Sequence, residues 1–311
     1  MKAEAIGRKT VKATNSLVNN IVLIIIVALI AFAGYALWDS KQLHQAADKS
    51  NYAVYKPTVE NEGISFKDLQ AINEEVFAWL TVYDTNIDYP VTQGPDNMKY
   101  VNTNAEGQYS LSGAIFLDYS NSKDFSDFNS ILYGHHMAKK VMFGEIDEFV
   151  NRDVFETHRY GNLYFDGEDH GIEFFAFIHV DAYDSSVFTA NVNDNARQAY
   201  LDNIFAKAIH TRDIGVTIDD RIVLLSTCSS DSTNGRDILI GRLSDEIYDP
   251  ETEIEINDLD DRANVDGNSG YCLVKGVPIW TLLLITILTA LLAVQTINIY
   301  QKRTRKGGRK K

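Results

Sequence analysis

The chain of 311 residues has only two cysteines, Cys228 and Cys272, too few for a disulfide scaffold. It has no internal repeat, which argues against a structural surface protein built from tandem units. Its 45% apolar and 23% charged residues exclude a wholly disordered or collagen-like chain. Acidic residues are nearly missing from the two ends. Residues 1–38 hold one acid, Glu4, against Lys2, Arg8, Lys9 and Lys12, and residues 277–311 hold none against seven bases. Taking these eleven bases and one acid from the 29 and 43 of the whole chain leaves 18 and 42 between them, a net charge of −24. A surface that acidic repels phosphate, so a nucleic acid partner is not expected.

Long uncharged runs occur twice. Ile21–Trp38 (IVLIIIVALIAFAGYALW) and Val277–Tyr300 (VPIWTLLLITILTALLAVQTINIY) are each long enough to span a bilayer as helices. Bases precede the first and follow the second, which predicts both termini in the cytoplasm and the middle outside. A cleaved signal peptide is the rival for the first run. Its apolar stretch exceeds an ordinary signal core, and no clean A-x-A site follows. The expected organisation is a basic cytoplasmic tail (1–16), a transmembrane helix (17–38), a stalk (39–62), an exterior folded domain (63–246), an acidic tether (247–276), a second transmembrane helix (277–300) and a basic tail (301–311). Asn264, Asp266 and Gly267 hint at a calcium loop. However, Arg262 and Leu273 stand where its ligands belong, so no metal is expected there.

Within the exterior domain, Phe66, Leu69, Ile72, Val76 and Leu80 recur at helical spacing behind a Ser65–Asp68 capping pair, predicting a helix over 65–80. Helices are also predicted over 142–150 and 194–210, the second with Leu201, Ile204, Phe205, Ala208 and Ile209 on one face. Short apolar runs at 86–91, 113–118, 130–133, 162–165, 172–181, 222–225 and 238–243 read as strands. Many short strands between turn signals predict a mostly β domain, barrel or sandwich, with helices added.

The chemistry centres on Cys228, His135, His136 and Arg236. Cys228 ends the strand VLLSTC among polar Ser226, Thr227, Ser229 and Ser230, where a nucleophile is exposed on a rigid backbone. Other readings are an inert buried thiol or a disulfide with Cys272. About 3% of a free thiol is thiolate at pH 7, so a nucleophilic cysteine needs a cationic neighbour. The two histidines follow the strand SILYG, and Arg236 precedes the run ILIG, although an isolated arginine is ordinarily a solvated charge. Adjacent histidines rarely aim at one ion, and no carboxylate or cysteine at ligand spacing accompanies them, so neither a metal nor another cofactor is expected.

These residues resemble the sortases, cysteine transpeptidases of Gram-positive surfaces. Leu224–Cys228 (LLSTC) is similar to the family's T-L-x-T-C, with Leu224 in place of Thr. Tyr133-Gly134-His135-His136-Met137 resembles the class B segment Y-G-H-N-M, with His136 in the Asn position. Arg236, eight residues past the cysteine, matches the family arginine. Tyr89–Gln93, Asp96-Asn97, Gly113–Asp118 and the helix at 194–210 look like the same class, so the resemblance covers about 63–246. It implies a closed sortase-type β-barrel flanked by two transmembrane helices. It also implies catalytic Cys228, His135 and Arg236, with Thr227, Ser226 and Ser229 at the substrate. The implied partners are a secreted surface protein or pilin with a C-terminal sorting motif, and an amine acceptor, either a pilin lysine or a peptidoglycan precursor. Class B enzymes usually have one anchor, and a second, C-terminal span is more like pilin-polymerising sortases. The D-P-W or D-P-F lid motif of class C is missing.

Three rivals remain. A papain-like peptidase needs its cysteine before its histidine, the reverse of this order. A non-enzymatic receptor domain predicts a silent Cys228→Ala. A wall-anchored substrate needs an L-P-x-T-G-like motif, which 263–278 does not contain. Housekeeping-type anchoring of one surface protein is the alternative to pilus assembly.

Overall fold

The computed structural model describes residues 2–57, 65–228 and 234–248, with residues 2–13 and Cys228 by backbone alone. Ser229, residues 249–276 of the tether, Cys272 and the second uncharged run lie outside the described residues.

Helix α1 (Lys2–Ala46) contains the first uncharged run. Its Thr14–Ala46 portion is long and apolar enough to cross a membrane, with a mean hydropathy of 2.8 in its most apolar window. Leu23, Ile24, Ile30, Phe32 and Leu37 are all exposed on it. A helix that is apolar all round and unburied by protein has the pattern of a membrane-facing segment. Asn51 closes its C-terminal end, where Nδ2 donates to the carbonyls of Gln45 (2.7 Å) and Ala46 (3.4 Å). Ala47 and Tyr52 are then buried against the domain.

The helix expected over 65–80 is shorter. α2 is Phe66–Ile72, and residues 76–82 form strand β1 (Val76–Val82). The start is as expected, since the Asp68 carboxylate accepts from the Ser65 N–H at 2.6 Å. Helical spacing of Val76 and Leu80 is outweighed by what the run VFAWLTV gains as a strand. It is paired on both edges, to β2 (Asp88–Thr92) and to a later strand, and β-branched and aromatic residues suit that surface. β3 (Ile115–Leu117) and β4 (Asn129–Tyr133) follow. The helix expected over 142–150 is only a 3₁₀ turn at Ile146–Val150, followed by α3 (Arg152–Thr157). Next come β5 (Tyr160–Phe165), β6 (Glu168–Asp181) and α4 (Arg197–Lys207). The end of the expected 194–210 helix is strand β7 (Ala208–Thr211), which pairs with β6. β8 (Arg221–Cys228) and β9 (Gly235–Ser244) complete the domain.

Eight strands close in the order β5-β1-β2-β3-β4-β8-β9-β6, with β6 returning to β5 and β7 added on β6. The protein is thus mostly β with a closed barrel, as expected. Alternation along β8 separates two cores. Val223 and Leu225 point into the barrel, whereas Ile222 and Leu224 pack outward with Tyr200, Leu201 and Ile204 of α4. Burying each such side chain contributes about 1.5–3 kcal/mol. β6 serves both cores by changing phase. Phe174 and Phe177 both face the barrel interior across a register shift between Phe174 and Ala176, as a bulge allows.

Candidate active site

The barrel topology brings the singled-out residues to one end. β4 runs parallel to β8, with Tyr133 opposite Ser226, so both strands finish together. β9 is antiparallel to β8 and begins where β8 ends, with Cys228 opposite Arg236 in register. The Gly134 N–H donates to the Ser226 carbonyl at 3.2 Å and carries the chain straight into His135. β4 and the consecutive strands β8 and β9 therefore deliver His135, Cys228 and Arg236 to neighbouring strand ends. A cavity of about 340 Å³ opens there, lined by His135, Arg236, Ser226, Thr227, Tyr133 and Asn97, among others. Of the expected site residues, Ser229 lies outside the described residues.

His135 is held by its ring. Nε2 lies 2.8 Å from the Val101 carbonyl. A carbonyl only accepts, so Nε2 carries the proton and Nδ1 is the basic nitrogen of the neutral ring. His136, its neighbour, instead pairs through Nε2 with Asp147 at 2.8 Å and is not part of the cavity wall. The two histidines thus have separate partners. On Arg236, one guanidinium nitrogen donates to the Gly235 carbonyl at 2.9 Å. Asp237, beside it, is buried and accepts from His179 Nδ1 at 2.8 Å. That contact ties the start of β9 to β6.

Two wall hydroxyls stand out. Ser226 Oγ and Thr227 Oγ1 are buried, each side chain about 1% exposed, and neither has a hydrogen-bond partner among the described residues. An orphaned buried hydroxyl is costly, and a binding wall is a place where it finds a partner in the ligand.

Sequence reasoning missed a polar network beside the cavity. The Asp118 carboxylate accepts from Asn97 Nδ2 (2.7 Å) and Tyr133 Oη (3.1 Å). Asn97 Oδ1 accepts from the Tyr119 N–H at 2.9 Å, which fixes the amide's orientation. Burial and the Asp118 charge push the Tyr133 phenol well above its ordinary value, so it stays a neutral donor. All three residues sit inside the stretches that carry the resemblance, but nothing in their spacing foretells the contacts. A larger, open depression of about 1000 Å³ lies elsewhere, lined by Lys56, Lys67, Lys123, Asp166 and Glu168 among others. No histidine or cysteine lines it, so it has no comparable nucleophile.

No protein-family model matches the chain. Relatives and solved structures do. Sortase B from the type II pilus of Streptococcus pneumoniae is 43% identical, matching 58% of this chain and 99% of that one with a TM-score of 0.52. A Streptococcus pyogenes class B sortase involved in pilus biogenesis is 41% identical, matching 59% of this chain and 100% of that one with a TM-score of 0.55. The chain belongs to the class B sortases. Sortase B of Listeria monocytogenes serovar 1/2a is a more distant relative, 28% identical over 232 residues that make up 71% of this chain and 94% of that protein. Membership makes this sortase one of a family of transpeptidases.

Proposed function

We propose that this sortase is membrane-anchored, cleaves a C-terminal sorting motif through a thioacyl-enzyme on Cys228 and passes the protein to an amine. The observation that carries the proposal is the shared strand end, with Cys228 in register opposite Arg236 and with Arg236 and His135 both lining the cavity there.

In the first half-reaction the Cys228 sulfur attacks a peptide carbonyl of the motif. The thiol proton passes to Nδ1 of His135, a C–S bond forms, the C–N bond breaks, and Nδ1 gives that proton to the departing amine. In the second, an incoming amine attacks the thioester and His135 takes its proton. A new amide forms, the thiolate leaves, and Nδ1 returns the proton to it, which regenerates the cysteine. The proton on Nε2 is engaged by Val101, so Nδ1 is the nitrogen that exchanges protons with the substrate. Arg236 hydrogen-bonds the oxyanion of each tetrahedral intermediate, together with a backbone N–H near Ser229. Ser226 and Thr227 offer their unpartnered hydroxyls to the bound peptide, and Ser229 completes that wall.

Two of the similar solved structures, 43% and 41% identical, are a sortase B from a type II pilus and a class B sortase involved in pilus biogenesis. They favour a pilin as the substrate and a pilin lysine as the acceptor over a peptidoglycan precursor. α1 serves as the first anchor, and residues 277–300 with the seven bases beyond them serve as the second. This topology puts both termini in the cytoplasm and the barrel outside.

The test is polymer formation in cells that make the wild-type chain or Cys228→Ala. Loss of covalently linked pilin ladders in the variant, with the barrel still present at the surface, is the expected result. Intact ladders would end the proposal. Loss of wall-linked monomer with no ladders in either strain would replace the pilin lysine by a peptidoglycan acceptor.

A further inference from the structure

The segment that follows His135 is held in a conformation its sequence resists. Lys139, Lys140 and Met142 all have left-handed backbones, with φ of 63°, 59° and 54°, which residues bearing a Cβ avoid. Three contacts hold the segment in place. Phe143 is fully buried and its N–H donates to the His135 carbonyl at 3.1 Å. His136 and Met142 form a single β-bridge. The third contact leaves the segment, since the Met142 N–H donates to Tyr89 Oη at 3.0 Å.

Tyr89 lies on β2, and its hydroxyl faces two ways. While accepting from Met142, it donates to the carbonyl of Ala47 at 3.0 Å. Ala47 is the first residue after α1. Both Ala47 and Tyr89 are about 1% exposed, and Tyr52 packs edge-on against the Tyr89 ring at 6.5 Å. Asn51 clasps the last carbonyls of α1 just behind this contact. Only a hydroxyl can accept from an amide and donate to a carbonyl at one point. Phenylalanine would leave two buried backbone groups orphaned. Burial pushes the phenol up to about 12, so the hydroxyl keeps its proton throughout the physiological range.

We infer that Tyr89 is a positioning residue that ties the end of the apolar helix to the His135 segment, so that the geometry of His135 depends on how α1 is docked. The inference rests on the reading of His135 as the acid–base group. It gives the anchor a second task besides tethering. Without the Tyr89 hydroxyl the strained segment relaxes and His135 leaves its place beside the Val101 carbonyl.

The experiment uses the full chain in detergent micelles, comparing wild type, Tyr89→Phe and Tyr83→Phe. Tyr83 is the control, since its hydroxyl donates instead to the Tyr248 carbonyl at 3.0 Å. The assay joins a sorting-motif peptide to a lysine amine and is paired with amide exchange over 134–146. For Tyr89→Phe, kcat should fall about tenfold with KM within twofold of wild type. The pH profile of kcat should shift, and exchange across 134–146 should quicken. Tyr83→Phe should match wild type. Equal kcat and equal exchange in the two variants would overturn the inference. If Tyr89→Phe does not fold, Asn51→Ala decides, because Asn51 is exposed and loosens only the end of α1. Faster exchange at 134–146 with a lower kcat supports the coupling, and unchanged exchange refutes it. His135→Ala separates the two readings. Full turnover without His135 defeats the acid–base assignment itself, whereas an inactive His135→Ala beside a normal Tyr89→Phe defeats only the coupling.

Discussion

Replacing Ser226 by alanine should make the protein more stable and a poorer enzyme. The Ser226 side chain is about 1% exposed, and its hydroxyl has no partner among the described residues. A hydroxyl that gives up water without a partner costs about 1–3 kcal/mol. Alanine removes that cost and loses only the few dispersion contacts of one oxygen, so a net gain of about 1 kcal/mol is expected. For a domain of this size each 1 kcal/mol moves Tm by roughly 2–4 °C, an increase that differential scanning calorimetry on the folded protein resolves. If the hydroxyl is kept for the bound peptide, kcat/KM drops about 2- to 10-fold, the worth of one hydrogen bond. A fall in Tm of 2 °C or more would mean the hydroxyl is already satisfied in the resting protein. A rise in Tm with unchanged kcat/KM would mean that it does nothing for the substrate.

Gly134→Ala should cost about 1–3 kcal/mol by overpacking. Its methyl would come within 2.7 Å of the buried Phe143 ring. Turnover should fall more than stability, because the next residue is His135; a fully active variant of normal Tm would contradict the packing. Arg236→Lys keeps the charge and loses the planar fork, so kcat should fall about 10²- to 10³-fold with little change in fold. Activity within threefold of wild type would remove Arg236 from the oxyanion. The phenols of Tyr52 and Tyr89 are each pushed up to about 12 by burial. Their neutral forms favour the fold, so their stabilisation is complete below the ordinary value near pH 10 and is lost as pH climbs from there to 12. Two units per group is at most about 2.7 kcal/mol each. Urea unfolding at pH 8 and pH 11.5 should show that decline, and equal stability at the two pH values would count against it.

The parts of the fold written in local patterns were legible. Strand runs ending in a polar turn marked the ends of β4 and β8, where the two histidines and Cys228 stand, whereas the distinction between His135 and His136 came only from the family resemblance. Helix α4 was read from its face of Leu201 and Ile204. Where a segment satisfied two periods, tertiary pairing decided. Val76 and Leu80 fit a helix but lie on a doubly paired strand, and Ala208–Thr211 left the helix to pair with β6. The parallel pairing of β4 with β8 brings His135 and Cys228 to one end, and such long-range pairing leaves no trace in local sequence. The same holds for the orphaned hydroxyl of Ser226, for the Asp118 network around Asn97 and Tyr133, and for the Tyr89 bridge to Ala47. Each depends on burial and on atoms that meet only in the closed barrel.

The most direct test of the account is to trap the covalent intermediate. The full chain in detergent is mixed with sorting-motif peptides in the absence of an amine, digested and mapped by mass spectrometry. The account predicts a thioester-linked acyl fragment on the peptide containing Cys228, absent from Cys228→Ala and released when a lysine amine is added. Transpeptidation that proceeds normally in Cys228→Ala, or an acyl adduct mapping to another residue, would contradict it.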